Sequence, residues 1–259
     1  MFPFSSDWLS RAGELQPLFR EADPFPLLVL DDFLDQDFAR QLLSEFPSLN
    51  SMPKSRDYLF GDKHELSSVE KAGPASQQFH EALLSEEFQR FLQQATGFDL
   101  FVDAEFFGGG FHQGGDGSFL DMHVDFNVHP LHPTWLRTLN ILVYLNQDWQ
   151  DQFGGQLLVK NGVHGETRKI DPVFNRAVVM LTDDRTYHGY RKMSLPEGVT
   201  RRSLAAYAYR LVEAGEVRIR TTGWQPEDAG LAKRFLARHY DRAVKVKNRF
   251  FGSGTAGNR

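Results

Sequence analysis

His123-Val124-Asp125 lies in the strand-like run Gly117 to Phe126. In a strand, residues i and i+2 face the same side, so an imidazole and a carboxylate there can grip one ion together. His-x-Asp arises by chance in many chains, and this chain supplies its own control. His239-Tyr240-Asp241 falls in a helical pattern, where i and i+2 do not share a face, and no histidine follows it. The first pair does have a downstream partner: His188 follows the apolar run Ala177 to Thr182 and the turn Asp183 to Tyr187. Two imidazoles and one carboxylate cover one face of an octahedron and leave positions open for a bidentate oxo-acid and O2. That donor set suits a ferrous ion better than a soft metal. The chain has no cysteine, which excludes thiolate ligands, structural disulfides and thiol catalysis.

A second chemical feature is Thr200-Arg201-Arg202-Ser203-Leu204. A dicarboxylate such as 2-oxoglutarate, chelating a metal through its keto-acid end, needs a cation for its far carboxylate. A guanidinium provides a bidentate, charge-assisted pair. Strand alternation puts Arg201, Ser203, Ala205 and Tyr207 on one face and Arg202, Leu204, Ala206 and Ala208 on the other. The face with Arg201 and Ser203 carries the donors, so Arg201 is favoured, with Arg202 as the alternative. His129 and His132, split by Pro130, either line a substrate entrance or stand in solvent. The glycine-rich run Gly108 to Gly115 lacks nucleotide-binding spacing and does not open a helix.

These residues need elements to position them. Leu27 to Leu30 reads as a buried strand. Gln36 to Phe46 reads as a helix ended by Pro47, and Ser76 to Gln94 as a second helix stopped by Thr96-Gly97. Residues 47–75, rich in Ser, Pro, Lys, Asp and Gly, read as a long loop. From Asp99 to Arg220 the chain is a series of short strand-like runs between turn residues: LFVDAEFF, GSFLDMHVDF, RTLNILVYLN, QLLVK, AVVMLT, SLAAYAYRL and EVRIR. Helices followed by such a series predict a mostly β (α+β) fold. The expected core is a double-sheet jelly roll with helices packed outside it. A basic helix is expected from Pro226 to about Asn248, with Pro226 in its first turn.

The run His123-Val124-Asp125, Arg137, Val143-Tyr144-Leu145-Asn146-Gln147-Asp148-Trp149, Gly154-Gly155-Gln156-Leu157, Asp183 to His188 and Thr200-Arg201 resembles the 2-oxoglutarate/iron(II) dioxygenase superfamily. The likeness is to its prolyl hydroxylase domain branch, in order and spacing, over roughly residues 100–210. The resemblance implies a double-stranded β-helix (cupin-like) core. It implies Fe(II) held by His123, Asp125 and His188, and 2-oxoglutarate held by Arg201 and Tyr144; strand alternation adds Ser203 to the 2-oxoglutarate site. O2 would be consumed, with ascorbate as a candidate accessory reductant. The substrate pocket would draw on Arg137, His129, Tyr207 and His112, and the glycines before the His-x-Asp strand would suit a lid. Related halogenases carry a small residue at the carboxylate position, so Asp125 implies hydroxylation of an unactivated C–H, or another oxygen-derived outcome, with release of succinate and CO2. Two segments depart from the animal oxygen-sensing enzymes: the loop Met193 to Gly198 and the insert 126–136. The second borders the substrate mouth, so a small molecule and a prolyl or other protein side chain both stay open.

The chain of 259 residues is long enough for a sizeable core without disulfides. It is taken as one oxygenase domain: helical support over 1–98, the β-helix core over 99–220 and a basic helix and tail over 221–259. A net charge of -5 argues against general nucleic-acid binding. No apolar stretch approaches the roughly 20 residues of a membrane span. The N-terminus lacks a signal-peptide pattern, so a cytoplasmic setting is expected. The C-terminal cluster of Lys233, Arg234, Arg238, Arg242, Lys245, Lys247 and Arg249 is either a solvated helix face or a dock for an acidic partner. The sequence does not set the oligomeric state. A non-catalytic cupin-like ligand- or metal-binding module is the alternative to an enzyme.

Overall fold

The computed structural model describes residues 3–55, 59–213, 215–227, 230, 233 and 235–237. The chain begins with helices α1 (Ser6–Ser10) and α2 (Ala12–Glu21), strand β1 (Leu27–Leu30) and helix α3 (Gln36–Ser44). The Asp35 side chain opens α3 by accepting from the amides of Asp37 and Phe38, which would otherwise lack partners. Strand β2 (His64–Leu66) precedes α4 (Pro74–Leu84) and α5 (Glu86–Thr96). The helix expected over 76–94 is therefore two. Ser85 takes an extended conformation, and its side chain caps α5 by accepting from Phe88 N. Gly97, at φ 81°, ends α5 in the left-handed conformation.

The β core follows as β3 (Phe101–Val102), β4 (Gly110–Gly114), β5 (Leu120–Val124), β6 (Trp135–Tyr144), β7 (Leu157–Asn161), β8 (Thr167–Ile170), β9 (Arg176–Leu181), β10 (Thr186–Tyr190), β11 (Arg201–Leu211) and β12 (Gly223–Trp224). They form two antiparallel sheets. One runs β1-β9-β6-β11-β4-β2, with β3 also on β11. The other runs β12-β5-β10-β7-β8. This is the expected jelly roll with helices outside it.

Alternation along the long strands sets two layers of core. Leu139, Ile141 and Val143 of β6 and Leu204, Ala206 and Ala208 of β11 pack against Leu15 and Phe19 of α2, Leu42 of α3, Phe79 of α4 and Phe88 and Leu92 of α5. Leu142 and Tyr144 of β6 and Ala205 of β11 face the other way and meet Leu157 and Val159 of β7. Each face therefore reads as a period of two.

Several local expectations change. Residues 47–75 are not simply a loop: β2 pairs with β4, opposing Glu65 to His112. The expected glycine lid at 108–115 is mostly strand β4, buried along its length and held between β2 and β11. A side chain at Gly109 would place Cβ 2.5 Å from the Ala205 carbonyl oxygen, and one at Gly110 2.2 Å from that of Leu66. Close backbone approach, not flexibility, demands those glycines. EVRIR is not a strand; it runs irregularly alongside Asn127. The basic helix over 226–248 lies largely outside the described residues, of which Lys233 and 235–237 are helical. No helix among the described residues is long and apolar enough to cross a membrane.

Candidate active site

β5 and β10 run antiparallel with His123 directly opposite His188. Asp125 follows the last residue of β5 and shares the His123 side of the strand. His123 Nε2 is 3.5 Å from Asp125 Oδ1, and His188 Nε2 is 3.8 Å from Asp125 Oδ2. One potential ligand atom from each residue lies within 4.8 Å of the others, and all three side chains are buried.

The donors are in the states a metal needs. His123 Nδ1 is 2.9 Å from the Asp121 carbonyl oxygen. A proton on Nδ1 satisfies that carbonyl and leaves the Nε2 lone pair free on the Asp125 side. Burial pushes the His188 imidazole down to about 4, with the nearby His123 adding to the shift, so His188 is neutral at physiological pH. Burial alone would raise the Asp125 carboxyl. Interactions with His188, Arg137 and His123 outweigh it and hold Asp125 well below the usual carboxylate range. Nitrogen, oxygen and nitrogen donors without any thiolate fit a ferrous ion.

A cavity lies between the sheets and reaches from these three residues to Arg201. His112, Gln113, Leu142, Leu157, Tyr190, Ser203 and Tyr207 line it as well. The Arg201 guanidinium donates through Nε to the Gly155 carbonyl at 2.8 Å and through Nη2 to Tyr144 Oη at 3.3 Å. Its Cζ lies 4.3 Å from the Tyr190 ring centroid. Among the described residues no carboxylate pairs with this buried cation. Arg202 projects to the other side of β11 and lines a separate surface groove with Pro196 and Thr200. Burial raises the Tyr144 hydroxyl, against the pull of Arg201, and raises those of Tyr190 and Tyr207 too. All three remain protonated donors.

Two of the four residues expected in a substrate pocket line this cavity: His112 and Tyr207. His112 Nδ1 is 3.4 Å from Lys63 Nζ. Burial, with the charges of Lys63 and Arg201, holds His112 neutral by pushing its pKa well down. Arg137 and His129 are placed elsewhere. Arg137 Nη1 lies 3.3 Å from Asp125 Oδ2, and the guanidinium is packed between the rings of Phe126 and Tyr207 at 3.6 and 3.4 Å. A register shift at Ala208/Tyr209, where β6 carries the extra residue Thr138, sets Tyr209 opposite Arg137, and the tyrosine hydroxyl accepts from Nη2 at 3.3 Å. The carboxylate and the aromatic rings together hold Arg137 away from the cavity. His129 is neither a pocket residue nor solvated: it is buried with Nε2 3.4 Å from Asp103 Oδ2.

The sequence reading misses Asn140, Lys63 and Tyr190. Asn140 Nδ2 donates to Asp125 Oδ2 at 3.2 Å. Its signal was available, since Asn140 is a lone amide in an aliphatic run and shares the Leu142–Tyr144 face of β6. Lys63 had no such signal, because it reaches the cavity from a segment without periodicity.

A His-Asp-His donor set on a jelly-roll core suits Fe(II). Residues 109–209 match the family model described as the 2OG-Fe(II) oxygenase superfamily. A prolyl-4-hydroxylase from Pseudomonas putida has a similar structure, with 19% identity and a TM-score of 0.59 over 78% of this chain and 100% of its own. A prolyl hydroxylase from Trichoplax adhaerens, solved with a hypoxia inducible factor oxygen degradation domain peptide fragment, gives 17% identity and a TM-score of 0.56 over 79% of this chain and 93% of its own. At these identities the likeness is one of fold. No curated protein matches the chain in sequence. Residues 109–209 thus match the 2OG-Fe(II) oxygenases, on a fold like that of prolyl hydroxylases that brings His123, Asp125 and His188 together.

Proposed function

We propose that this chain is an Fe(II)/2-oxoglutarate-dependent dioxygenase that hydroxylates an unactivated C–H bond of a small molecule or of a prolyl or other protein side chain, consuming O2 and 2-oxoglutarate and releasing succinate and CO2. His123, Asp125 and His188 would hold the ferrous ion. Arg201 would take the far carboxylate of 2-oxoglutarate, with Tyr144 and Ser203 as neutral donors beside it. The carrying observation is a ligand triad and a buried guanidinium, without a carboxylate partner among the described residues, sharing one cavity. A ferrous ion held there would let O2 act as the oxidant, with one oxygen atom going to succinate as 2-oxoglutarate loses CO2 and the other to the substrate hydroxyl; the protein supplies geometry and exclusion of water.

The chain's own groups divide that work. Asn140 and Arg137 fix the Asp125 carboxylate, and the Asp121 carbonyl fixes the His123 ring. Tyr190 covers the Arg201 guanidinium and Leu142 and Leu157 keep that end of the cavity apolar, which strengthens an ion pair formed there. His112 and Tyr207 would border the substrate, one as a neutral imidazole and the other as a ring whose hydroxyl is held by the Gly108 carbonyl at 3.1 Å.

The test is anaerobic binding of Fe(II) and 2-oxoglutarate, followed by a screen of free amino acids, saccharides and proline-containing peptides that reads succinate. His123→Ala and Asp125→Ala should abolish substrate-dependent succinate. Undiminished turnover in both variants would sink the assignment.

A further inference from the structure

The segment from Arg218 to Gln225 lies along the outer edge of the ligand-bearing strand. Trp224 is opposite His123 and Gly223 opposite Val124, and Gln225 N donates to the Met122 carbonyl at 2.7 Å. Beyond the end of β5 the same line continues through Asn127. Its Oδ1 accepts from Arg220 N at 2.7 Å, and its Nδ2 donates to the Arg218 carbonyl at 2.9 Å.

The side chains go further than edge pairing requires. Arg220 Nη2 donates to the Asp125 carbonyl at 2.8 Å and to the Asp183 carbonyl at 3.0 Å. Asp183 begins the turn into β10; its Oδ1 accepts from Arg185 N and Thr186 N. One guanidinium thus ties the end of the strand carrying His123 and Asp125 to the turn that launches His188. The Trp224 ring lies 4.7 Å from the His123 ring, and Phe60 stacks with that indole at 4.9 Å. Lys233 pairs with Asp121 at 2.7 Å, and the carbonyl of Asp121 is the group that orients His123.

We infer that residues 218–225 form a positioning strap for the metal ligands, with Arg220 as its central positioning residue and Trp224 as the backing for His123. The inference rests on the reading of His123, Asp125 and His188 as ferrous ligands. Hydrogen-bonded groups outside a metal site fix the direction of its ligands, and losing one typically weakens metal binding about 10–100-fold. Arg220 acts on two ligand segments at once through charge-assisted bonds to backbone oxygens. Its loss therefore loosens the distance between Asp125 and His188 without removing a ligand.

The experiment compares full-length wild type with Arg220→Ala, Arg220→Lys, Trp224→Phe and the control Arg176→Ala. Arg176 binds Asp31 and the Asp171 carbonyl away from the cavity, so its loss removes a guanidinium of similar kind. Fe(II) affinity is measured by anaerobic competition with a chromophoric chelator, and fold by circular dichroism. Hydrogen–deuterium exchange of the metal-free protein is followed in peptides 120–127 and 183–190. Arg220→Ala should weaken Fe(II) binding about 10-fold and speed exchange in both peptides. Arg220→Lys, which can reach one carbonyl, should fall between it and wild type, Trp224→Phe should shift in the same direction by less, and Arg176→Ala should change neither reading. Should Arg220→Ala fail to fold, Arg220→Lys and Trp224→Phe decide. Folded variants with wild-type affinity and exchange would overturn the strap while leaving the ferrous site intact. Wild type that binds no Fe(II) would overturn the site reading, and the exchange data would still judge whether Arg220 ties the two segments together.

Discussion

The two sheets contribute different chemistry to one cavity. The five-stranded sheet carries His123 and His188, with Asp125 at the end of its strand β5. The seven-stranded sheet carries Arg201, Ser203, Tyr144, Asn140 and His112. Their surroundings differ as well. The larger sheet is backed by α2 to α5 through a continuous apolar core, whereas the ligand strand β5 is held at its outer edge by β12 and Arg220. On the proposed reading, anion recognition belongs to the heavily buttressed wall and metal binding to the wall pinned by polar contacts. Substitutions in the two walls should therefore separate metal affinity from co-substrate affinity.

The largest break in that division comes from the smaller sheet. His188→Ala removes one of three donors and should weaken Fe(II) binding by more than the roughly 100-fold upper range for outer contacts, taking turnover to background. Isothermal titration with Fe(II) under anaerobic conditions checks it. The matching break in the larger sheet is Arg201→Ala. Truncating one partner of a buried, hydrogen-bonded charge pair costs about 2–5 kcal/mol. The KM for 2-oxoglutarate should rise at least about 30-fold on that scale, with Fe(II) affinity little changed. Arg201→Lys should recover only part, because an ammonium cannot reproduce the planar fork. Equal losses of metal and co-substrate affinity in either variant would contradict the division of labour.

Acid should unfold the metal-free protein through the ligand wall. His188 has a folded pKa of about 4 against an ordinary 6.5. Above pH 6.5 it is neutral in both states and favours neither. As pH falls below 6.5 the unfolded chain binds the proton first, so stability drops until about pH 4, where the folded state is protonated too. The shift corresponds to about 3 kcal/mol. Asp125, also depressed on folding, adds a loss of the same sign below its ordinary 3.8. Urea melts between pH 7 and 4 should show this slope, and His188→Gln should flatten it.

How far the sequence reveals such a site depends on the range of the contact. The period of two along 201–208 predicts the faces of Arg201 and Arg202, because alternation is a local rule, and the structure puts those residues on opposite sides of β11. The triad is legible because His123 and Asp125 are two residues apart in a strand. Ser85 could be read as a cap only with the backbone turn at that point. The glycines at 109 and 110 look like hinges in sequence, since their reason lies in Ala205 and Leu66, far along the chain. The same holds for Arg137, whose expected place in the pocket gives way to a carboxylate and three aromatic rings gathered from separate segments. Helix α2, which packs on α5, carries Ala12, Leu15 and Phe19 on one face, but Pro17 lies inside it and masks the helical pattern in the sequence.

The smallest expected effect sharpens the comparison most. Ser203 stands opposite Tyr144 in the β6–β11 pairing and opposite His112 in the β4–β11 pairing, on the same face as Arg201. Its hydroxyl lines the cavity but carries no charge, so it can add only a neutral hydrogen bond to a bound carboxylate. Ser203→Ala keeps the backbone ladder and nearly the same volume, and the core behind β11 is built from Leu204 and Ala206 on the other face. Stability should therefore move little. A hydrogen bond to a charged group is worth about 1.5–3 kcal/mol, and a neighbouring donor or water can replace part of it. With that partial replacement the KM for 2-oxoglutarate should rise by roughly 5- to 10-fold, just under the ~13-fold that 1.5 kcal/mol would give and well below the Arg201→Ala effect. Fe(II) affinity in the same preparation should stay at the wild-type value. A fall in Fe(II) affinity would mean that β11 helps shape the metal site, and the two walls would then have to be treated as one mechanical unit.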